Sequence, residues 1–361
     1  MLSPRKKETW KTDINDGVAI NFAVEVAKEA VSKGGWRVDF ESLCSTFGIV
    51  SPCPFVTSTG EGGVILRISN CIVDLASWRV ALIAASLSNS PIVEIDVHAV
   101  QLSPQHLLDL SIYMEKIGNL SVLKLDYVRF LGVSGNGFEL FRPFLLGTSP
   151  VEYLSLKGNR FGDGFCSDPL NISAIVNNLT LQALSLSHNE ITDVGATEIL
   201  RAIKLSPFIK ELSLSRNDVT GTCLVTVAST LNGSVANAED EASLKKNSAT
   251  INERIKTIKE LNKKRKKDGK AELVEPLPPA ERVSKVDGAN MIANRTILSV
   301  DLSFCPIDLE SFSTGLSAFR LPPTIAPPVP PSTFKLLLNG RPDLQAIIGA
   351  GEISEGITIC Y

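Results

Sequence analysis

The chain predicts an α/β fold of stacked repeats, with short parallel strands alternating with helices. Three observations carry that prediction. The first is a recurring apolar pattern: Leu181-x-x-Leu184-x-Leu186-x-x-Asn189-x-Ile191 returns as Ile209-x-x-Leu212-x-Leu214-x-x-Asn217-x-Val219 and, upstream, as Val151-x-x-Leu154-x-Leu156-x-x-Asn159-x-Phe161. The second is its period. The third apolar position falls at residues 68, 97, 125, 156, 186 and 214, spacings of 29, 28, 31, 30 and 28. Fixed periods of this size mark repeat architectures. The third is a change of periodicity inside each unit. The Leu-x-Leu run alternates as a strand does, whereas Ile199-Leu200-x-x-Ile203 repeats at helical spacing. One unit cannot bury its own apolar face, so neighbours must stack into a solenoid.

Weaker copies extend the series in both directions. Leu120-x-x-Leu123-x-Leu125 and Ile92-x-x-Ile95-x-Val97 precede the strong units, and Leu66-x-Ile68-x-x-Cys71 opens them. Beyond a long gap come Ile297-x-x-Val300-x-Leu302-x-x-Cys305 and Phe334-x-Leu336-x-x-Asn339. The Asn or Cys three places after the third apolar residue is suited to backbone groups where the chain turns out of the strand.

The stretches 181–200 and 209–231 resemble the leucine-rich repeat family, and within it the ribonuclease-inhibitor-like subclass with long repeats and full helices. The resemblance covers about residues 63–340 apart from an insertion. It implies a horseshoe with a parallel sheet on the concave face and helices on the convex face.

Four segments follow. Residues 1–62 read as an N-terminal helical cap, with Ile20, Ala23, Val24 and Ala27 on one stripe of a helix that Gly34 and Gly35 close. Residues 63–233 are repeats. Residues 234–286 are a charged helical insertion with a Pro-containing return, and 287–361 are C-terminal repeats and cap, with a Pro-rich connector or ligand at 321–332. The last repeat before the insertion resumes, on this reading, at Asp287-Gly288-Ala289-x-x-Ile292, which echoes the helix start Asp193-x-Gly195-Ala196-x-x-Ile199. Residues 356–361 read as a last strand.

In the insertion, Leu244, Ile251 and Ile258 stand seven apart, with Ile255 and Leu261 between and beyond them, which predicts one long helix over about 239–267. Residues 245–270 hold eleven Lys and Arg against three Asp and Glu, a net of +8, so the rest of a chain of net charge −3 carries −11. Three readings are open. The helix packs its seam on its own chain; it docks on another protein; or Lys263-Lys264-Arg265-Lys266-Lys267, with Lys256 and Lys259, contacts phosphates or acts as a nuclear localisation signal. Cations at a helix C-terminus are also favoured by the dipole alone.

Composition narrows the function. The chain has 361 residues, 44% hydrophobic and 21% charged, with 36 Lys and Arg against 39 Asp and Glu, so as a whole it is no polycation. No stretch nears the ~18 apolar residues a membrane span needs. The start has basic residues without an apolar run behind them, and seven scattered cysteines lack a Cys-x-x-Cys pair. The expectation is a reducing compartment, cytoplasmic or cytoskeletal, with a faint likeness to ciliary and flagellar axonemal repeat proteins, and not secretion. His98, His106 and His188 stand without a nucleophile or second ligand at a supporting spacing. The glycines at 135, 137, 158, 162 and 164 fit neither a P-loop nor a dinucleotide fingerprint. Neither an enzyme nor a cofactor or metal site is expected.

Partner binding is expected instead. Strand side chains alternate, so the concave face presents the residues beside the buried leucines. In the early repeats these are Arg67, Glu94, Asp96, His98, Lys124, Asp126, Tyr153 and Lys157; in the later ones Ser185, Ser187, Glu211, Ser213, Ser215, Ser299, Asp301 and Ser303. Tyr153 among Lys124, Asp126 and Lys157 has the chemistry of an interface anchor. The leading expectation is a non-enzymatic scaffold binding proteins by this face and by the insertion. The alternatives are a ribonucleoprotein component holding RNA on the basic helix, and a soluble inhibitor or regulator of an enzyme.

Overall fold

A computed structural model of the chain describes residues 32, 34–60, 63–87, 92–130, 137–146, 149–206, 208–232, 234–267, 283–286, 289–292, 297, 299–319, 334–340, 342–344 and 357–360. The expected helix near residues 16–31, the Pro-containing return after 267 and the Pro-rich segment 321–332 lie outside these. The chain is mixed α/β, its strands mostly parallel. It divides into two compact units, residues 1–144 with 148–159, and residues 145–147 with 160–361.

In the first unit, strands β1 (Val56–Gly60), β2 (Gly63–Ser69), β3 (Ile92–His98), β5 (Val122–Asp126) and β7 (Tyr153–Ser155) lie side by side in that order. All pairs are parallel except β1–β2, an antiparallel edge inside the segment expected to be a helical cap. Two-residue strands β4 (Gln101–Leu102) and β6 (Arg129–Phe130) pair beside the turns. Helices α1 (Trp36–Phe47), α2 (Leu75–Ser86) and α3 (Pro104–Met114) pack in sequence. Trp36 stacks on Phe40 with centroids 4.8 Å apart, and Phe55 meets both rings edge-on, so aromatic burial seats α1. α2 and α3 are clamped by Arg79 and Asp109, 1% and 0% exposed, with Nε 2.7 Å from Oδ2.

In the second unit, β8 (Ala183–Ser185), β9 (Glu211–Ser213), β13 (Ser299–Asp301), β14 (Phe334–Leu337) and β15 (Ile357–Cys360) are parallel neighbours. The expected C-terminal strand is β15. Helices α4 (Gly162–Ser167), α5 (Pro169–Asn177), α6 (Asp193–Leu205), α7 (Cys223–Asn232) and α9 (Leu309–Phe319) accompany these strands. Between α7 and β13 stand β10 (Ser234–Val235), helix α8 (Ala238–Lys267), β11 (Val283–Val286) and β12 (Ala289–Ile292).

The repeat chemistry is legible atom by atom. The pattern leucines 154, 156, 184, 186, 212 and 214 are buried. Asn217 accepts from the backbone N–H groups of Asn189 and Ile191 and donates to the carbonyls of Leu186 and Leu214. Asn159 does the same work for Val128, Leu125 and Leu156. Cys305 takes this place in its repeat, its thiol donating to Leu214 O at 3.3 Å.

Two expectations are corrected. Residues 289–292 are not a helix start: β12 pairs antiparallel with β11, Val286 opposite Ala289, and with β10. Asp287-Gly288 between alternating runs is a hairpin signal, and it outweighs the helical spacing. The last repeat is also read two residues too early. Val300 lies opposite Leu336 and Leu302 donates to Leu337 O, so Leu338, not Leu336, is the third apolar residue. A shift of two preserves the buried face, so the alternation alone does not fix it.

Candidate protein-docking faces

Where each strand ends, the next residue but one after the third apolar position takes a positive φ. In the first unit these are Asn70, Ala99, Tyr127 and Gly158; in the second, His188, Arg216, Phe304 and Gly340, with φ between 51° and 86°. Each non-glycine in the series donates its N–H to the neighbouring strand's end, as from Tyr127 to Lys157 O and from Phe304 to Asn339 O. That bend turns the chain out of the sheet and leaves the strand-end side chains in a row.

On the first unit's sheet face, register sets the predicted residues side by side. Arg67, Asp96, Lys124 and Ser155 form one row across four strands, with Glu94 and Tyr153 in the row beside it and His98 and Asp126 in the next. Arg67 Nε lies 3.0 Å from Asp96 Oδ2, and Lys124 Nζ donates to Glu94 Oε1 at 2.7 Å. Asp126 accepts from Ser155 Oγ at 2.7 Å and from the Lys157 N–H at 2.9 Å. Burial pushes the Asp126 carboxyl above its ordinary value, with these hydrogen bonds opposing. For Lys124, burial works against the ammonium, but the hydrogen bond and charge of Glu94 outweigh it, so its pKa is raised. Glu94, Asp96, Lys124, Asp126, Tyr153 and Lys157 are all half-buried and His98 is exposed, which is the state of side chains fixed in place yet reachable.

The sequence reading misses Tyr127. Its ring meets His98 edge-on at 5.3 Å, carries Lys157 Nζ at 5.7 Å from its centroid, and lies over Gly158, where a Cβ would come within 2.3 Å of it. The signal for it was the glycine at the same repeat position one unit on.

The second unit differs from expectation. Ser185, Ser187 and Ser303 are buried, not a floor open to a partner. The hydroxyls of Ser185 and Ser187 join a network: Ser187 Oγ lies 3.1 Å from Ser185, 2.8 Å from Ser213 and 3.0 Å from Ser215, and Ser213 donates to Asp301 Oδ2 at 2.8 Å, while Ser303 Oγ accepts from the Asn339 N–H at 3.0 Å. Short side chains on adjacent strands bond one another before they reach solvent. Asp301 is held in that network and accepts the Ser303 N–H as well, while Glu211 is exposed.

On α8 the apolar seam is covered. Leu244, Ile251, Ile255 and Ile258 are buried, so the seam is not what a partner meets. Asp240 at its first turn lies 3.5 Å from Lys204 and 3.7 Å from Arg201 of α6, which ties the helix to its own unit. At 100° per residue the exposed Lys256, Lys259, Lys263, Lys266 and Lys267 share an arc of about 100° beside the seam. The side chains of Lys264 and Arg265 lie outside the described residues.

Five thiols carry strongly raised pKa values, burial being the largest cause: Cys44 and Cys305 to about 11, Cys53 to about 12, and Cys166 and Cys223 further. At neutral pH burial keeps them as thiols. Among the described residues no group of three His, Cys, Asp or Glu is arranged to hold a metal ion, and no helix is long and apolar enough to cross a membrane.

Residues 177–200 match the family model described as Leucine Rich repeat. The match supports a leucine-rich repeat family. It covers β8, the buried Leu184 and Leu186, the ladder residue Asn189 and the first turns of α6. No curated protein matches the chain. A leucine-rich repeat suggests a protein-interaction scaffold.

Proposed function

We propose that the chain is a non-enzymatic leucine-rich repeat scaffold of the ribonuclease-inhibitor-like kind, a solenoid that binds a protein partner in a cytoplasmic or cytoskeletal assembly. Repeats of 28 to 31 residues with helices between strands support the subclass. The observation that carries the function is the first unit's sheet face. Fixed charges of both signs surround Tyr153, and such aromatic anchors with a polar rim dominate interface energies. Each pair keeps its cation partly in solvent, Arg67 at 47% and Lys124 at 31%, so its contribution to stability is modest, about 1 kcal/mol.

The test is affinity purification of the full chain beside Tyr153→Ala, Lys124→Glu, and a chain with residues 238–286 replaced by a short Gly-Ser link. Defined proteins that disappear with the first two variants support the sheet face. Proteins lost only with the replacement assign binding to α8, and an unchanged set in all three sinks the proposal.

The exposed lysine arc of α8 favours a second reading, a ribonucleoprotein component. It requires log affinity for RNA to fall steeply with log salt, by about 0.7 per neutralised phosphate on a single strand. RNA that is not retained even at low salt removes it.

A further inference from the structure

We propose that His188, Arg216 and Phe304 at the strand ends of the second unit form the docking point for a partner segment that carries one carboxylate beside a large apolar side chain. The proposal rests on the scaffold reading and names a different surface for it.

The three residues occupy the same repeat position on consecutive strands. His188 donates its N–H to Ser215 O, Arg216 to Ser303 O and Phe304 to Asn339 O. At about 4.8 Å between strands, their backbones span about 10 Å. All three are exposed, Phe304 at 52%. A positive φ is unfavourable for any residue with a Cβ, and φ is 58°, 56° and 59° here. Glycine serves at the equivalent Gly340 and Gly158, so the repeat does not require a side chain at this position.

Phe304 covers Gly340 with one face, where a Cβ would meet the ring at 2.5 Å. Arg216 lies over the ring with its guanidinium carbon 4.5 Å from the centroid. A guanidinium over a ring face meets it through the cation–π attraction and still carries N–H donors that suit a carboxylate. Among the described residues the ring is its only partner.

The first unit holds a similar cation over an aromatic ring at the same repeat position, set among paired charges. There Tyr127 carries Lys157 and touches His98, and the neighbouring cations Arg67 and Lys124 are paired with Asp96 and Glu94. In the second unit the nearby carboxylate, Asp301, is taken by Ser213 and the Ser303 N–H. Arg216 is left to an anion from outside.

Nucleic acid fits less well, although bases stack on aromatics. One arginine supplies little phosphate attraction, and Glu190, Glu211 and Asp218 are exposed in the same repeats, which disfavours a run of phosphates. A single carboxylate with an apolar neighbour meets the cation and the ring together.

The experiment selects random peptides of about 12 residues on the full chain. It then measures their binding by fluorescence anisotropy to the wild type and to Phe304→Gly, Arg216→Ala and Tyr153→Ala, beside an oligouridine of about 20 nucleotides. Phe304→Gly keeps the backbone conformation at no steric cost, and Arg216→Ala leaves the ring in place, so the pair does not hang on one variant folding. The expected result is recovery of peptides with Asp or Glu next to a large apolar residue. Their affinity falls roughly tenfold in each of the first two variants and falls in high salt, and is unchanged in Tyr153→Ala. The proposal is overturned if no peptide is recovered, if the peptides lack acidic residues, if both variants bind as the wild type does, or if the oligouridine shows the variant sensitivity instead. Peptides lost with Tyr153→Ala but kept by Phe304→Gly overturn this docking point and leave the scaffold reading standing.

Discussion

Single positions carry much of this fold, and Gly158 shows how. Its φ of 72° disfavours a Cβ by about 1–2 kcal/mol, and the Cβ would also stand 2.3 Å from the Tyr127 ring. Gly158→Ala is expected to lower stability by about 2 kcal/mol or more in urea titration. Gly118→Ala, with nothing within 4 Å of the added carbon, is expected to change it by less than about 0.5 kcal/mol. If the two variants behave alike, the ring contact and the backbone bend are not what the glycine serves. His106 gives a second prediction. It is buried, its Nε2–H donates to Val73 O at 3.0 Å, and Nδ1 accepts the Ser103 N–H at 3.0 Å at the start of α3. Burial, the largest influence, holds its pKa below the ordinary value, and the Val73 hydrogen bond and the Asp109 charge offset this only in part. The unfolded chain therefore takes up a proton near pH ~6.5 that the folded chain refuses. Stability is full above that pH and is lost as pH falls through it towards the folded value. The urea midpoint should drop between about pH 7.5 and 5.5. In His106→Gln, which preserves a capping side chain, that drop should flatten. An equal drop in the variant assigns the acid sensitivity elsewhere.

At the scale of elements, helix pairing depends on a buried charge pair. Removing one partner strands the other charge, so Asp109→Ala should cost about 3–5 kcal/mol, whereas Arg79→Met with Asp109→Leu should recover most of that loss, as read by urea midpoints. A single substitution costing under about 1 kcal/mol would mean water reaches the site. Elements also show what the sequence makes legible. Strands, period and the Asn ladder follow from Leu184, Leu186 and Asn189 because burial and turn chemistry act through residue type alone. The α8 seam is readable for the same reason. What is not readable depends on a neighbour in space. Ser185 and Ser187 look solvated until Ser213 and Ser215 are placed beside them. Tyr127, Arg216 and Phe304 share a backbone bend that only Gly158 and Gly340 advertise in the sequence. The slip at Leu336 arises where Phe334, Leu336 and Leu338 alternate too evenly to choose between registers.

For the whole molecule, repeat construction sets how damage spreads. On the solenoid reading proposed above, stability is close to a sum of intrinsic terms and nearest-neighbour interfaces, so a lesion in one repeat acts first on the repeats beside it. Asn217 is the place to apply one, since its side chain joins the ends of the β8 and β9 repeats through four hydrogen bonds to backbone groups, and Cys305 continues the ladder in the next repeat. Asn217→Ala leaves buried N–H and C=O groups unpaired, at about 1–3 kcal/mol for each group that finds no new partner. Hydrogen exchange read by mass spectrometry should show faster exchange in β8, β9 and β13, while β2 and β3 in the first unit keep their protection. An equal rise throughout would show that both units open as one cooperative block. The nearest-neighbour account would then fail, because its interfaces would be too strong for any repeat to open alone.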